Sequence, residues 1–183
     1  MKKVVFAATG ASGAGLFLKL VNAAKYSCEA HIIVSKNAMK VLEAEENLKL
    51  NLDDLDVKIY DDQDLSAGPA SGSFGTDAMI IAPCSTNTLA KVANGISDTL
   101  ITRAASVALK ERQTLVLGVR EMPFSAIALS QMQLLSSLGA TIAPPVLGYY
   151  AGIKSLLDME NFIIGKWLDA LKIQNNLYKR WQI

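Results

Sequence analysis

The sequence predicts a three-layer α/β fold, an open parallel sheet with helices on both faces. Three observations carry that expectation. Short apolar runs alternate with longer segments whose apolar residues recur at helical spacing. The turns after several runs are built of Gly, Ser, Thr and Asn, residues that open helices. The chain is 51% hydrophobic and only 19% charged, enough apolar material for strands buried on both faces. Strands joined by helices require parallel pairing through right-handed crossovers.

Residues 4–8 read as the first buried strand, and 13–26, with Leu16, Leu18, Leu20 and Val21, as the helix after it. Residues 30–34 form a second strand, Ser35 caps a helix running to about residue 46, and 57–60 form a short third strand. Residues 61–76, rich in Asp, Ser and Gly, make a long loop of the kind that carries function. The apolar run 78–82 stops at Pro83 and gives way to small and polar residues that open a helix over 85–94. The free N–H groups and dipole of that terminus favour an anion, at the strand end where open α/β sheets bind ligands. A helix over 98–110, a strand over 114–119, a helix over 125–138, a short strand near Thr141 and an amphipathic helix over 159–175 complete the order. No internal repeat or low-complexity tract interrupts it.

With 183 residues, the chain reads as one domain, 1–183, around one substantial core. A net charge of +1 with both signs scattered gives no footprint for nucleic acid or an anionic membrane surface. The first apolar run is too short for a signal peptide and no later run is long enough for a span, so a soluble, cytoplasmic protein is expected. Two cysteines, Cys28 and Cys84, form no disulfide framework, and with His31 alone they complete no metal site. The high apolar fraction points to surface covered by other subunits.

The turn Thr9-Gly10-Ala11-Ser12-Gly13-Ala14-Gly15 follows the first strand, where small residues let backbone amides and the Ser12 hydroxyl approach a phosphate. It is not a Walker A loop, because Leu16 and Phe17 stand where Lys and Ser or Thr should be. Its glycine order also fails the dinucleotide fingerprint, and the second strand ends at Ser35 instead of an acid for an adenosine ribose, which disfavours NAD. Cys84 sits at a helix N-terminus, where a thiol can be activated, but a buried packing cysteine is the plainer reading. His31 lies within an apolar run and reads as packed. Arg120 directly follows a strand and precedes Glu121 and Pro123, placing a charge pair at a strand end before a forced turn. Arg103, Lys110 and Lys166 sit near the ends of predicted elements, Glu45 lies on a helix, Tyr149-Tyr150 follow Pro144-Pro145, and Trp181 lies near the C-terminus.

Taken together these segments resemble the flavin prenyltransferases of the UbiX type, within the superfamily of homo-oligomeric flavin-containing Cys decarboxylases. The resemblance runs through Gly10-Ala11-Ser12-Gly13-Ala14, Ser71-Gly72-Ser73-Phe74, Pro83-Cys84-Ser85, Arg103-Ala104-Ala105, Leu109-Lys110-Glu111-Arg112, Arg120-Glu121 with Pro123, and Arg180-Trp181. It implies a flavodoxin-like or Rossmann-like subunit that binds FMN and assembles into a homo-oligomer, typically a dodecamer of trimers with interfacial active sites. The implied reaction moves a dimethylallyl group from dimethylallyl phosphate to N5 and C6 of reduced FMN, without metal, for a partner UbiD-type decarboxylase. By the same resemblance Gly10, Ala11, Ser12, Ser35, Ser85, Thr86, Asn87, Thr88 and Arg120 hold the flavin. Lys110, Tyr150 and Lys166 hold the prenyl phosphate with Arg103 close by. Glu121 manages protons, Glu45 is a second carboxylate near the phosphate, Ser12 lies near both ligands and Trp181 offers an aromatic face. Lys166 stands where the family usually carries Arg. An FMN-dependent decarboxylase and a non-catalytic FMN-delivery subunit are the alternatives. The first lacks its family's catalytic His and Pro-x-Met-Asn-x-x-Met-Trp segment, and the second has no use for an acid beside the flavin.

Overall fold

A computed structural model describes residues 1–46 and 52–181. Its elements run β1 (Lys3–Ala8), α1 (Ala14–Ala24), β2 (Glu29–Val34), α2 (Lys36–Glu46), β3 (Lys58–Asp61), β4 (Ala78–Cys84), α3 (Thr86–Ala93), α4 (Leu100–Lys110), β5 (Thr114–Val119), α5 (Ala126–Ser137), β6 (Thr141–Ile142) and α6 (Leu156–Ala170). The sheet order is β3-β2-β1-β4-β5-β6 and every pairing is parallel. The order reverses between β1 and β4, so a crevice opens beyond their carboxyl ends.

Alternation along the strands feeds two apolar layers. Val4, Phe6, Ile32 and Ile80 pack on one face against α1 and α6, while Val5, Ile33, Met79, Ile81, Leu115 and Leu117 pack on the other against α3, α4 and α5. β4 is buried at every position, as a central parallel strand covered on both faces must be. Trp167 of α6 lies fully buried across β5, its Nε1 donating to Ala143 O at 2.8 Å. Gly118 makes room for it, since a Cβ there would stand 3.1 Å from the indole.

The expected stop at Pro83 is corrected. β4 continues through Pro83 to Cys84, because the register shifts between Ile81↔Leu117 and Cys84↔Val119. That bulge takes the donorless proline out of the ladder, the circumstance in which a strand tolerates Pro. The Ala82–Pro83 peptide is cis. α4 begins at Leu100, two residues later than expected, because Thr99 and Thr102 form a capping box. α6 occupies Leu156–Ala170 instead of 159–175, since Ser155 caps it at Asp158 N–H and the chain turns away after Leu171. Within the 61–76 loop lie two single 3₁₀ turns, Gly68–Ala70 and Gly72–Phe74. Arg103 Nε pins the loop by donating to Ala70 O at 3.0 Å, and Lys3 Nζ by donating to Phe74 O at 2.8 Å. Among the described residues no helix is long and apolar enough to cross a membrane.

One buried side chain ties the two strands that border the crevice. Thr9 Oγ1 donates to Pro83 O at 3.1 Å and accepts from Ser85 N at 2.8 Å, while Thr9 N donates to Pro83 O at 3.0 Å. Thr9→Val, nearly isosteric, leaves the Ser85 N–H without its acceptor and should cost about 1–3 kcal/mol in urea unfolding, whereas Thr9→Ser should retain most of it.

Candidate active site

A cleft of about 550 Å³ occupies the crevice, lined by Thr9 and Gly10 after β1, Ser35 and Asn37 after β2, Asp62 after β3, and Ser85, Thr86, Asn87 and Thr88 after β4. Two helices aim their N-termini at it. Ser35 Oγ accepts from Ala38 N at 3.1 Å and Ser85 Oγ from Thr88 N at 3.2 Å. Each cap satisfies one leading amide and leaves earlier ones, at Asn37, Thr86 and Asn87, for a ligand. Gly10 lets the first turn close on α2, because a Cβ would come within 2.7 Å of Asn37 Cβ. The expected flavin residues Gly10, Ser35, Ser85, Thr86, Asn87 and Thr88 therefore share one cavity.

Asp62 was not anticipated. Its carboxylate accepts from Ile101 N at 2.9 Å and its carbonyl from Leu100 N at 2.8 Å, so it fastens the start of α4 to the cleft floor. Burial pushes its carboxyl above the ordinary range, against the lowering effect of the Ile101 N–H. The available signal was its place at the carboxyl end of β3, level with the other turns.

In the first turn, expected to approach a phosphate, the Gly13 and Ala14 amides are engaged by a carboxylate of the chain. Gly13 takes a left-handed conformation, φ 88°, at the N-cap of α1. The Glu45 carboxylate, reaching over from α2, accepts from Gly13 N at 3.1 and 3.0 Å and from Ala14 N at 3.2 Å. The leading amides of α1 thus hold a carboxylate of the chain itself, favourably for the helix dipole, and bring Glu45 beside the half-buried Ser12. Ala11 N donates to Thr9 O at 2.7 Å within the same turn.

Arg120 and Glu121 lie on the same edge of the sheet. Arg120 N donates to Cys84 O at 3.0 Å, which sets Arg120 next to Ser85. Glu121 is exposed and its Oε1 accepts from Met122 N at 3.0 Å. Cys84 is fully buried and burial pushes its thiol up to about 12, fitting a packing role. His31 is also buried, with Nδ1 2.9 Å from Tyr60 Oη and Nε2 3.0 Å from Glu29 Oε1. Burial lowers its pKa and Glu29 opposes the shift.

The remaining expected residues stand elsewhere. Arg103 holds the 61–76 loop, and Lys110, paired with Glu111, ends α4. Thr102 of the same helix lines the cleft, so Lys110 lies about 12 Å further along the axis. Tyr150 and Lys166 line a second cavity of about 530 Å³, walled by Pro144, Val146, Leu147, Phe162 and Trp167. Trp181 packs edge-on against Tyr150, ring centroids 5.6 Å apart. Within one chain Gly10, Ser35, Ser85, Thr86, Asn87 and Thr88 line one cleft, whereas the other expected flavin residues, Ala11, Ser12 and Arg120, and the expected phosphate residues Lys110, Tyr150 and Lys166 are not among its lining residues.

Residues 1–168 match the family described as Flavoprotein. Over 98% of both chains, the protein is 46% identical to the flavin prenyltransferase UbiX of Campylobacter jejuni. The chain belongs to the UbiX family of flavin prenyltransferases. Two solved structures superpose closely on it. AnUbiX (PadA1) in complex with FMN and dimethylallyl pyrophosphate has a TM-score of 0.93 at 36% identity, covering 99% of this chain and 97% of that one. The dodecameric FMN-dependent UbiX-like decarboxylase of Escherichia coli O157:H7 has a TM-score of 0.92 at 36% identity, covering 98% and 99%.

Cys28 is likewise buried, its thiol raised to about 11 by burial. A thiol reagent at pH 8 should therefore label neither cysteine in the native protein during a time that labels both in urea. Because both thiols are raised on folding, the stability they contribute is complete below the ordinary thiol pKa. It is lost as pH rises toward 11 and 12, which alkaline denaturation should record.

Proposed function

We propose that this chain is a flavin prenyltransferase, a single FMN-binding domain that transfers a dimethylallyl group from dimethylallyl phosphate to N5 and C6 of reduced FMN. The observation that carries the proposal is the cleft at the β1/β4 reversal. It presents two helix N-termini, Gly10 and the hydroxyls of Ser35, Ser85, Thr86 and Thr88 to one polar, anionic ligand. The cavity is in the size range of small-molecule sites, and Gly10 leaves the close backbone approach that a phosphate-bearing ligand needs.

Reduced FMN, when bound, supplies N5 and C6 as the two nucleophilic atoms. The protein's part is to orient and to handle charge. Ser85, Thr86, Asn87 and Thr88 clamp the flavin, with Ala11, Ser12 and Arg120 along its edge. Lys110, Lys166 and Tyr150, with Arg103, receive the phosphate as the allylic C–O bond breaks and its electron pair stays on oxygen. Trp181 offers an aromatic face to the positive charge left on the allyl group. Glu121 handles the protons, taking the one displaced at N5, returning one to the alkene as the ring closes and taking the one lost at C6, and Glu45, anchored by Gly13 and Ala14, keeps a second carboxylate at the phosphate side.

In our reading the phosphate groups and the flavin cleft meet between copies of the chain. Lys110 is displaced along α4 from its own cleft, and large apolar side chains stand exposed, Met122 (90%) next to Glu121 in the chain, Tyr149 (78%) next to Tyr150, and Val146 at the second cavity. Both features support a homo-oligomer, a dodecamer in our reading, in which Lys110 serves a neighbouring cleft. The product passes to a UbiD-type decarboxylase in the cytoplasm. A decarboxylase activity for the chain itself is less well supported, since its single histidine, His31, is buried in the sheet.

Anaerobic incubation with reduced FMN and dimethylallyl phosphate should add one five-carbon unit to the flavin by mass. No gain with either the phosphate or the pyrophosphate donor contradicts the proposal. Glu121→Gln should lower the rate by about 10²–10⁴-fold with flavin affinity unchanged.

A further inference from the structure

The segment after α6 is gathered by one carboxylate. Tyr178 Oη donates to Asp169 Oδ2 at 2.5 Å, Arg180 Nη1 to Oδ2 at 3.0 Å and Nη2 to Oδ1 at 2.8 Å, and Asn175 Nδ2 to Oδ1 at 2.9 Å. The two-point guanidinium pair fixes direction as well as distance. Burial works against the Asp169 anion, but the Arg180 and Tyr178 hydrogen bonds outweigh it and hold the carboxyl below the usual range. Burial and Asp169 push the Tyr178 phenol up to about 12, so it remains a donor. Gly165 lets the tail close on the helix, because a Cβ there would stand 2.4 Å from the Tyr178 ring.

From this anchor an aromatic chain leads to the second cavity. Tyr178 meets Phe162 edge-on at 5.1 Å, Phe162 meets Tyr150 at 5.6 Å, and Tyr150 meets Trp181 at 5.6 Å. Phe162, Tyr150 and Asp169 line the same cavity as Lys166. Trp181 is one residue beyond the Arg180 fork and 68% exposed. Its position therefore depends on the fork more than on its own burial.

We propose that Asp169 is a positioning residue for prenyl-phosphate binding: it latches the C-terminal segment through Arg180 and Tyr178, and thereby sets Trp181 against Tyr150 at the cavity that holds Lys166. The inference rests on reading that cavity as the prenyl-phosphate site. The latch itself, a carboxylate on α6 holding the tail, does not.

The test uses the full-length, oxidised FMN-loaded protein, which binds donor without turnover. Asp169→Asn and Arg180→Gln are compared with the parent, the second variant lying in the tail so that α6 is untouched. Trp181 emission, separated from that of the buried Trp167 by subtracting the Trp181→Phe spectrum, should shift and become more accessible to acrylamide in both variants. The dissociation constant for dimethylallyl phosphate should rise about fivefold or more, with that for FMN within about twofold. Arg180→Lys, which keeps charge but not the fork, should recover part of each change. Unchanged Trp181 emission in both variants overturns the latch. Altered emission with unchanged donor affinity overturns its role at the prenyl site, as does a parent that binds no donor. Absence of prenyl transfer by a parent that binds donor and shows the emission change contradicts the proposed reaction and leaves the latch standing.

Discussion

Everything in this molecule is arranged around the reversal of strand order between β1 and β4. Two parallel strands that hand their connections to opposite faces leave their carboxyl ends uncovered. Here that gap is held at a fixed width by Thr9, whose hydroxyl and amide bind Pro83 and Ser85 across it. The bulge at Pro83 serves the same end. It keeps β4 in the sheet while shifting the register, so that Ser85 emerges at the gap and α3 starts with its free amides pointing into it. The apolar layers on each face make this edge rigid, and rigidity is what lets a few backbone N–H groups act as a preorganised anion site.

Separation of the proposed flavin site from the cationic and aromatic groups follows from the same geometry. A helix long enough to cover the sheet carries its last residue to the opposite edge, so a residue such as Lys110 at the end of α4 faces outward from its own subunit. There it pairs with Glu111 of its own chain, and in the proposed oligomer that pair would face a neighbour. Exposed apolar residues such as Met122 and Tyr149 would supply the driving force to bring that neighbour in. On this account oligomerisation and catalysis are one requirement, because Lys110 lies away from its own cleft while Tyr150 and Lys166 share a second cavity.

The sequence made the sheet readable because its strands are short, apolar and separated by amphipathic helices of ordinary length. Ser35 was legible as a cap because a hydroxyl directly after an apolar run has few other local uses, and the small polar residues from Ser85 on marked a helix start whose cap is Ser85 itself. Pro83 misled, because the rule that proline ends a strand holds only while the ladder needs its N–H, and a bulge depends on the partner strand. The partners of Glu45 were not legible, since Gly13 and Ala14 are more than thirty residues away. Asp169 escaped for a related reason: its four donors come from 175–180, and only chain reversal after α6 brings them back. Spacing along an element can be read locally, whereas a contact between elements needs the fold.

The central claim is that the flavin is clamped at the β1/β4 reversal by the leading amides of α2 and α3. Hydrogen exchange with and without FMN tests it most directly, because those amides are the proposed ligands. The account predicts new protection at residues 37, 86 and 87 on adding FMN, with α6 changed far less. Protection confined to the Tyr150–Lys166 cavity, with the two helix starts exchanging as before, would contradict it.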